Sequence, residues 1–138
     1  MSCLLDTSVL SELRKGDRAD SGVRGWFAAA ADADLFTSVL VVGEIRRSIE
    51  SIRRRDPRSA MALDQWLARL NETFADRVLP VDLAIADRWG ALNVPDPLPT
   101  VDGLLAATAL VHHLTLVTRN VRDFERTGAI VLNPFAAR

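Results

Sequence analysis

The sequence is short of several things, and each shortage closes off a class of function. It holds a single cysteine, Cys3, so no disulfide can form within the chain. The simplest reading of that thiol is a small buried apolar side chain, and sparse cysteine fits a reducing compartment. Lysine is as scarce: Lys15 stands alone, and the other cations are Arg. No apolar run approaches the roughly 20 residues of a membrane-spanning helix. The N-terminus has no basic segment leading into a long apolar one. The expectation is a cytoplasmic protein. Gly22 and Gly25 do not make a phosphate-binding glycine loop, and no other is present. The only histidines, His112 and His113, are adjacent. Neighbours on a helix point in different directions, so a structural place at a helix end is expected for them rather than catalysis.

What is present is an ordinary globular composition, 49% hydrophobic and 25% charged over 138 residues. That length suits one domain over residues 1–138, with a core large enough to need no covalent staple. The net charge of −1 argues against a uniformly basic nucleic-acid binder. The cations are unevenly spread, however. Arg46, Arg47, Arg53, Arg54, Arg55 and Arg58 crowd one stretch, which reads either as a solvated helix face or as a phosphate-matching patch.

Short apolar segments alternate with helical periodicity. Strands are expected at Cys3–Leu5, Leu35–Thr37, Val78–Leu79, Leu114–Val117 and Ile130–Leu132. Helices are expected at Val9–Arg14, Ser21–Ala31, Ser38–Arg54 with Ser38 as its cap, Arg58–Phe74, Asp82–Leu92 with Asp82 as its cap, and Asp102–His113. The third helix carries a stripe of Val41 or Val42, Ile45, Ile49 and Ile52; the fourth, Met61 or Ala62, Trp66, Leu67 and Leu70. Trp26, Trp66 and Trp89 fall on helices and read as packing residues. Pro95-Asp96-Pro97-Leu98-Pro99 reads as one rigid loop. Strands that are apolar without alternation, separated by helices, specify an α/β fold whose parallel sheet is covered on both faces.

In such sheets ligands bind beyond the carboxyl ends of the strands. That rule singles out Asp6-Thr7-Ser8 after the first strand, and Ser38 with Glu44 after the second. After the fourth it singles out Thr118-Arg119-Asn120 with Asp123. Asp102 opens the helix leading into that fourth strand. Each acid has an ordinary explanation as a cap or a loop residue; their coincidence at one sheet edge is the signal. Gathered carboxylates repel and must take up protons or a cation. An all-oxygen set suits Mg²⁺ or Mn²⁺, which can polarise a phosphodiester and activate water. Thr7, Ser8, Thr118 and Asn120 could orient ligands or water, and Arg119 could meet a phosphate oxygen. A phosphatase using the first Asp as nucleophile wants a second acid where Ser8 stands. A receiver domain wants an acidic pair by the first strand and a late Lys, and neither is present.

Four segments resemble the motifs of PIN-domain nucleases, in order and over nearly the whole chain. They are Leu4-Leu5-Asp6-Thr7-Ser8-Val9-Leu10, Ser38 to Glu44, Asp102-Gly103-Leu104-Leu105-Ala106-Ala107-Thr108-Ala109, and Thr118-Arg119-Asn120-Val121-Arg122-Asp123-Phe124. Length and motif style most resemble the VapC toxins of toxin–antitoxin pairs. Ser8 stands where Asn is commoner in the family, and some members place the fourth acid at the position of Asn120, which leaves Asn120 or Asp123 to complete the set. The resemblance implies a PIN-like three-layer α/β/α sandwich and Mg²⁺- or Mn²⁺-dependent endoribonuclease activity. It also implies an acidic set of Asp6, Glu44, Asp102 and Asp123 that would bind the metal, a VapB-type antitoxin as partner, and homodimers within larger complexes. The alternative is an inactive PIN-like module that only binds RNA or protein.

Overall fold

The computed structural model describes residues 1–137. Its strands are β1 (Cys3–Leu5), β2 (Leu35–Ser38), β3 (Val78–Leu79), β4 (Thr115–Val117) and β5 (Val131–Leu132). They form one sheet in the order β3-β2-β1-β4-β5, with every pairing parallel. β1 is central and wholly buried; Leu4 lies opposite Phe36 on one side and Leu116 on the other. A strand buried on both faces has no polar face to show, which is why these segments read as apolar without alternation.

The helices are α1 (Thr7–Leu13), α2 (Ser21–Ala29), α3 (Val39–Arg53), α4 (Pro57–Phe74), α5 (Leu83–Leu92) and α6 (Thr100–Val111). The chain moves outward from β1 to β2 to β3, then crosses back to β4 on the far side of β1. Right-handed crossovers then place α1 to α4 on one face and α5 with α6 on the other. The result is the three-layer α/β/α sandwich expected from the sequence.

Ser38 caps α3 as expected, accepting the Leu40 N–H at 3.1 Å, and Asp82 caps α5 through the Ile85 N–H at 3.0 Å. Val41, Ile45 and Ile49 are buried as the α3 stripe requires. The phase of α4 differs from expectation. Ala60 and Leu67 are buried and Leu63 partly so, whereas Met61 is 62% exposed and Ala62 is exposed too. Four apolar residues in a row, Ala60 to Leu63, carry no phase of their own. Asp56 sets it by capping the helix on the Ser59 N–H, with Pro57 in the first turn.

Two members of the arginine-rich stretch join α3 to α4. Arg46 contacts Glu50 and Asp64 at 2.9 and 2.7 Å, and Arg53 contacts the same two acids at 3.0 and 2.7 Å. Arg47, Arg54, Arg55 and Arg58 form no ion pair among the described residues. Cys3 is buried in the core, and burial pushes its thiol pKa up. No helix among the described residues is long and apolar enough to cross a membrane.

α6 is packed closely by its small residues. Ala106, Ala107 and Ala109 are at most 1% exposed. A Cβ on Gly103 would come 3.0 Å from the Trp89 ring, so glycine lets α6 approach α5. The helix ends in a Schellman motif: Leu114 N–H donates to Ala109 O at 2.8 Å, and His113 N–H to Leu110 O at 3.4 Å. His113 thereby takes φ 55°, a left-handed conformation that suits glycine better. The histidine pair therefore stands at a helix end, as read from the sequence. Replacing His113 by Gly is expected to stabilise the protein by about 1 kcal/mol, read as a higher urea midpoint at unchanged slope.

Candidate active site

β1 ends at Leu5 and α1 begins at Thr7, which leaves Asp6 alone at the junction. Its N–H donates to Val117 O at 3.0 Å, so its backbone still belongs to the sheet. Its carbonyl accepts from Val9 and Leu10 N–H at 3.1 and 3.2 Å, so the same residue also starts the helix. The side chain sits at this corner only 6% exposed. A carboxylate so buried needs partners for its oxygens. Oδ1 accepts the Thr7 N–H, and Oδ2 accepts the Thr118 hydroxyl, both at 2.7 Å. The capping role and the sheet-edge role expected as rivals for Asp6 are thus filled by one carboxylate.

Thr118 follows β4 and is completely buried. Besides donating to Asp6, its hydroxyl oxygen accepts the Asn120 N–H at 3.0 Å and lies 3.5 Å from Ser8 Oγ. Ser8 Oγ in turn accepts the Arg119 N–H at 3.1 Å. Thr7 reaches the other way: its hydroxyl donates to Glu44 Oε1 at 2.9 Å. Glu44 lies in the second turn of α3 and shares a shallow hollow with Val39, Leu40 and Val101. The first turn of α1 therefore ties the β4 exit to the start of α3.

Asp102 stands in the first turn of α6, which begins at Thr100, two residues before the start expected from the sequence. Its carboxyl is pushed above the ordinary carboxylate pKa, first by burial and then by the negative charges of Asp123, Asp6 and Glu44, in that order. The other three nominated acids therefore all act on Asp102. Asp123 lies in a short 3₁₀ turn, Val121–Phe124, whose Phe124 is buried. Of the two candidates for a fourth acid, Asp123 is the one whose charge reaches Asp102; Asn120 is used through its backbone.

No three acids among the described residues close tightly enough to form a finished cage for an ion. The donor chemistry nonetheless fits a hard divalent cation. The set is carboxylate and hydroxyl oxygen, with no thiol or imidazole, and Asp102 records an excess of negative charge that a cation would relieve. Mg²⁺ keeps several of its waters and so needs only one or two direct carboxylates. Two features escaped the sequence reading. One is the Thr7–Glu44 hydrogen bond. The other is the guanidinium of Arg119, which lies 4.6 Å over the ring of Phe135. That ring lies past the last expected strand, where no motif marked it.

Fold and edge together define a parallel α/β/α sandwich with an acidic crevice where the strand order reverses. The chain belongs to the PIN-domain family, whose model matches residues 3–130. It is 29% identical to the VapC ribonuclease Y4jK of Sinorhizobium fredii, over 96% of each chain. The crystal structure of FitAcB from Neisseria gonorrhoeae superposes with a TM-score of 0.86 at 28% identity, over 96% of this chain and 97% of that one. A toxin–antitoxin complex from Klebsiella pneumoniae contains a chain similar at 28% identity with a TM-score of 0.66, covering 99% of this chain and 100% of that one.

The raised Asp102 carboxyl has a consequence for stability. Its folded-state pKa lies above the unfolded value, so the folded protein carries a penalty once Asp102 ionises. That penalty is absent below the ordinary carboxylate range and complete above the folded pKa. Asp102→Asn is expected to raise the thermal midpoint of the metal-free protein at neutral pH, with the gain fading as the pH falls through the carboxylate range. A gain that persisted unchanged in acid would count against this electrostatic account.

Proposed function

We propose that this protein is the toxin of a VapBC-type toxin–antitoxin pair, acting as a divalent-metal-dependent endoribonuclease. The observation that carries the reading is the gathering of acids at the strand ends, where the charges of Asp123, Asp6 and Glu44 all bear on the part-buried Asp102. Similarity to a VapC ribonuclease and to a chain of a toxin–antitoxin complex, over nearly the full length of each, supports it.

Asp6 and Asp102 would be the principal ligands of Mg²⁺, with Mn²⁺ able to substitute, and Glu44 and Asp123 would complete the negative field. The bound ion would supply Lewis-acid polarisation of a phosphodiester and a more acidic attacking water. The chain's own part is to hold the oxygens in place. Thr118 and the Thr7 N–H fix the Asp6 carboxylate, and the Thr7 hydroxyl fixes Glu44. Burial of Asp6 and Thr118 limits the water that competes for those bonds. Arg119, exposed beside Thr118, would meet the RNA backbone.

For the antitoxin, a groove of about 390 Å³ runs between α1, α2 and α4. Its floor includes Leu10, Phe27, Leu70 and Phe74, and Arg14, Arg24 and Arg69 line it too. Apolar floor with cationic edges suits an amphipathic segment carrying acidic flanks. Exposed Val39, Val81 and Leu83 are surface that a second copy in a homodimer would cover.

Asp6→Asn is expected to remove Mg²⁺-dependent RNA cleavage while the far-ultraviolet dichroism stays unchanged; undiminished cleavage by this variant would falsify the metal assignment. Thr118→Val, which removes only the hydroxyl that holds Asp6, should lower activity about 10- to 100-fold. Expression of the chain alone should arrest bacterial growth and Asp102→Ala should relieve the arrest. Equal arrest by both would sink the toxin reading and leave a non-cleaving binding module.

A further inference from the structure

Arg119 poses a question that the acidic crevice does not answer. It follows Thr118 directly, and its N–H is held by Ser8 Oγ at 3.1 Å, so its backbone is part of the crevice wall. The residue before it, Thr118, holds the Asp6 carboxylate, yet among the described residues the Arg119 guanidinium pairs with no carboxylate. It is instead laid over the Phe135 ring, with the guanidinium carbon 4.6 Å from the ring centroid. That is well inside the roughly 6 Å range of a cation–π contact.

Phe135 belongs to the segment that follows β5, and this segment is fastened at several points. Asn133 Oδ1 accepts the Phe135 N–H at 3.0 Å. The Ala136 N–H donates to Asp20 Oδ2 at 2.9 Å, on the same carboxylate that caps α2 through Gly22 and Val23 N–H. Pro134 is buried. Pro134 O and Ala136 N approach Gly22 so closely that a Cβ there would lie 2.5 and 2.6 Å from them. The strap thus crosses the entry of α2 at a place only glycine allows, and it delivers one partly exposed aromatic ring beneath one exposed cation.

We propose that Phe135 is a positioning residue for Arg119, and that the stacked pair forms a phosphate-binding rim of the acidic crevice. The inference rests on the ribonuclease reading of that crevice. A guanidinium stacked by its face keeps its edge N–H groups free, and those groups form the fork that matches two phosphate oxygens. The ring also gives the cation a partner other than a carboxylate. The ligand is the RNA backbone next to the bond to be cut, read as phosphate and not as base sequence.

The test uses the full chain with a short fluorescein-labelled single-stranded RNA of mixed sequence. Binding is measured in EDTA over a range of salt, and turnover is measured with Mg²⁺. Arg119→Ala should weaken binding about tenfold or more and flatten the logarithmic salt slope by about 0.7, the share of one single-strand phosphate. Phe135→Leu keeps an apolar side chain but removes the π face. It should raise Kd and KM about two- to fivefold, the size of an exposed cation–π contact, and leave kcat in place. Phe135→Trp should restore wild-type binding. In the Arg119→Ala background, Phe135→Leu should have no further effect.

An equal effect of Phe135→Leu in both backgrounds, or a loss confined to the thermal midpoint, would make Phe135 merely structural and overturn the proposal. If the parent cuts RNA and none of these variants alters binding, this inference fails and the ribonuclease reading stands. If the parent neither binds nor cuts RNA, both fall together.

Discussion

A carboxylate that is almost entirely buried has to have its oxygens satisfied, and the demand made by Asp6 organises this protein's working edge. Two donors meet it, and each comes from a different level of the fold. The Thr7 N–H is free because a helix begins there and its first amides have no partner within it. The Thr118 hydroxyl arrives because β1 and β4 pair in a register that sets Leu5 opposite Val117, so the residues that follow both strands face each other. Moving β1 one residue along β4 would send core side chains to the wrong face and would strand the Asp6 carboxylate as well. Strand register, helix start and carboxylate orientation are therefore one constraint. Thr118 passes it on, since the same hydroxyl oxygen accepts the Asn120 N–H and shapes the turn that brings Asp123 round towards Asp102.

Much of this was legible in the amino-acid sequence because the signals were local or strictly ordered. Buried strands read as apolar runs, and Ser38 and Asp82 announced two helix starts by chemistry that needs only the next few residues. The Asp102–Gly103 pair could be read as one unit, and its glycine proves to be where α6 meets Trp89. Other features depended on contacts between distant segments and could not be read. Ala60 to Leu63 gave no phase for α4, because any of the four could face inward until Asp56 fixed the first turn. Two of the crowded arginines turned out to be committed to Glu50 and Asp64, a pairing that exists only once α3 and α4 lie side by side. Phe135 lay beyond every recognisable motif, and only the folded chain brings it under Arg119.

Asp102 shows how the fold maintains a charge arrangement that it does not favour. The first turn of α6 is the positive end of a helix and should welcome a carboxylate. Burial together with three like charges outweighs that benefit, since the carboxyl is raised and not lowered. The helix cannot relieve the conflict by moving. Gly103, Leu105, Ala106, Ala107, Thr108 and Ala109 are all buried, so shifting α6 would open the core on one side or crowd Trp89 on the other. Tight packing by small side chains thus holds a repulsive group in place. This is the pattern expected where a site is selected for its chemistry at some expense in stability.

The same field bears on how a polyanion could enter. The chain carries a net charge of −1, so no long-range attraction draws nucleic acid in, and the crevice itself is negative. Any compensating cation must therefore be near. The unpaired arginines at the end of α3 are too remote: Arg54 lies ten residues past Glu44 along the helix direction, about 15 Å at the helical rise. That is close to two screening lengths at physiological salt, each about 8 Å. Arg119 has no such handicap, because its own amide is bonded to Ser8 in the first turn of α1, two residues from Asp6. It would lose its usefulness if it folded down onto the acids beside it. The C-terminal strap prevents this by offering the guanidinium an aromatic face instead of a carboxylate. In a molecule with no excess of cations, the resting place of Arg119 therefore matters to a site built from repelling anions, alongside Arg47, which shares the hollow of Glu44.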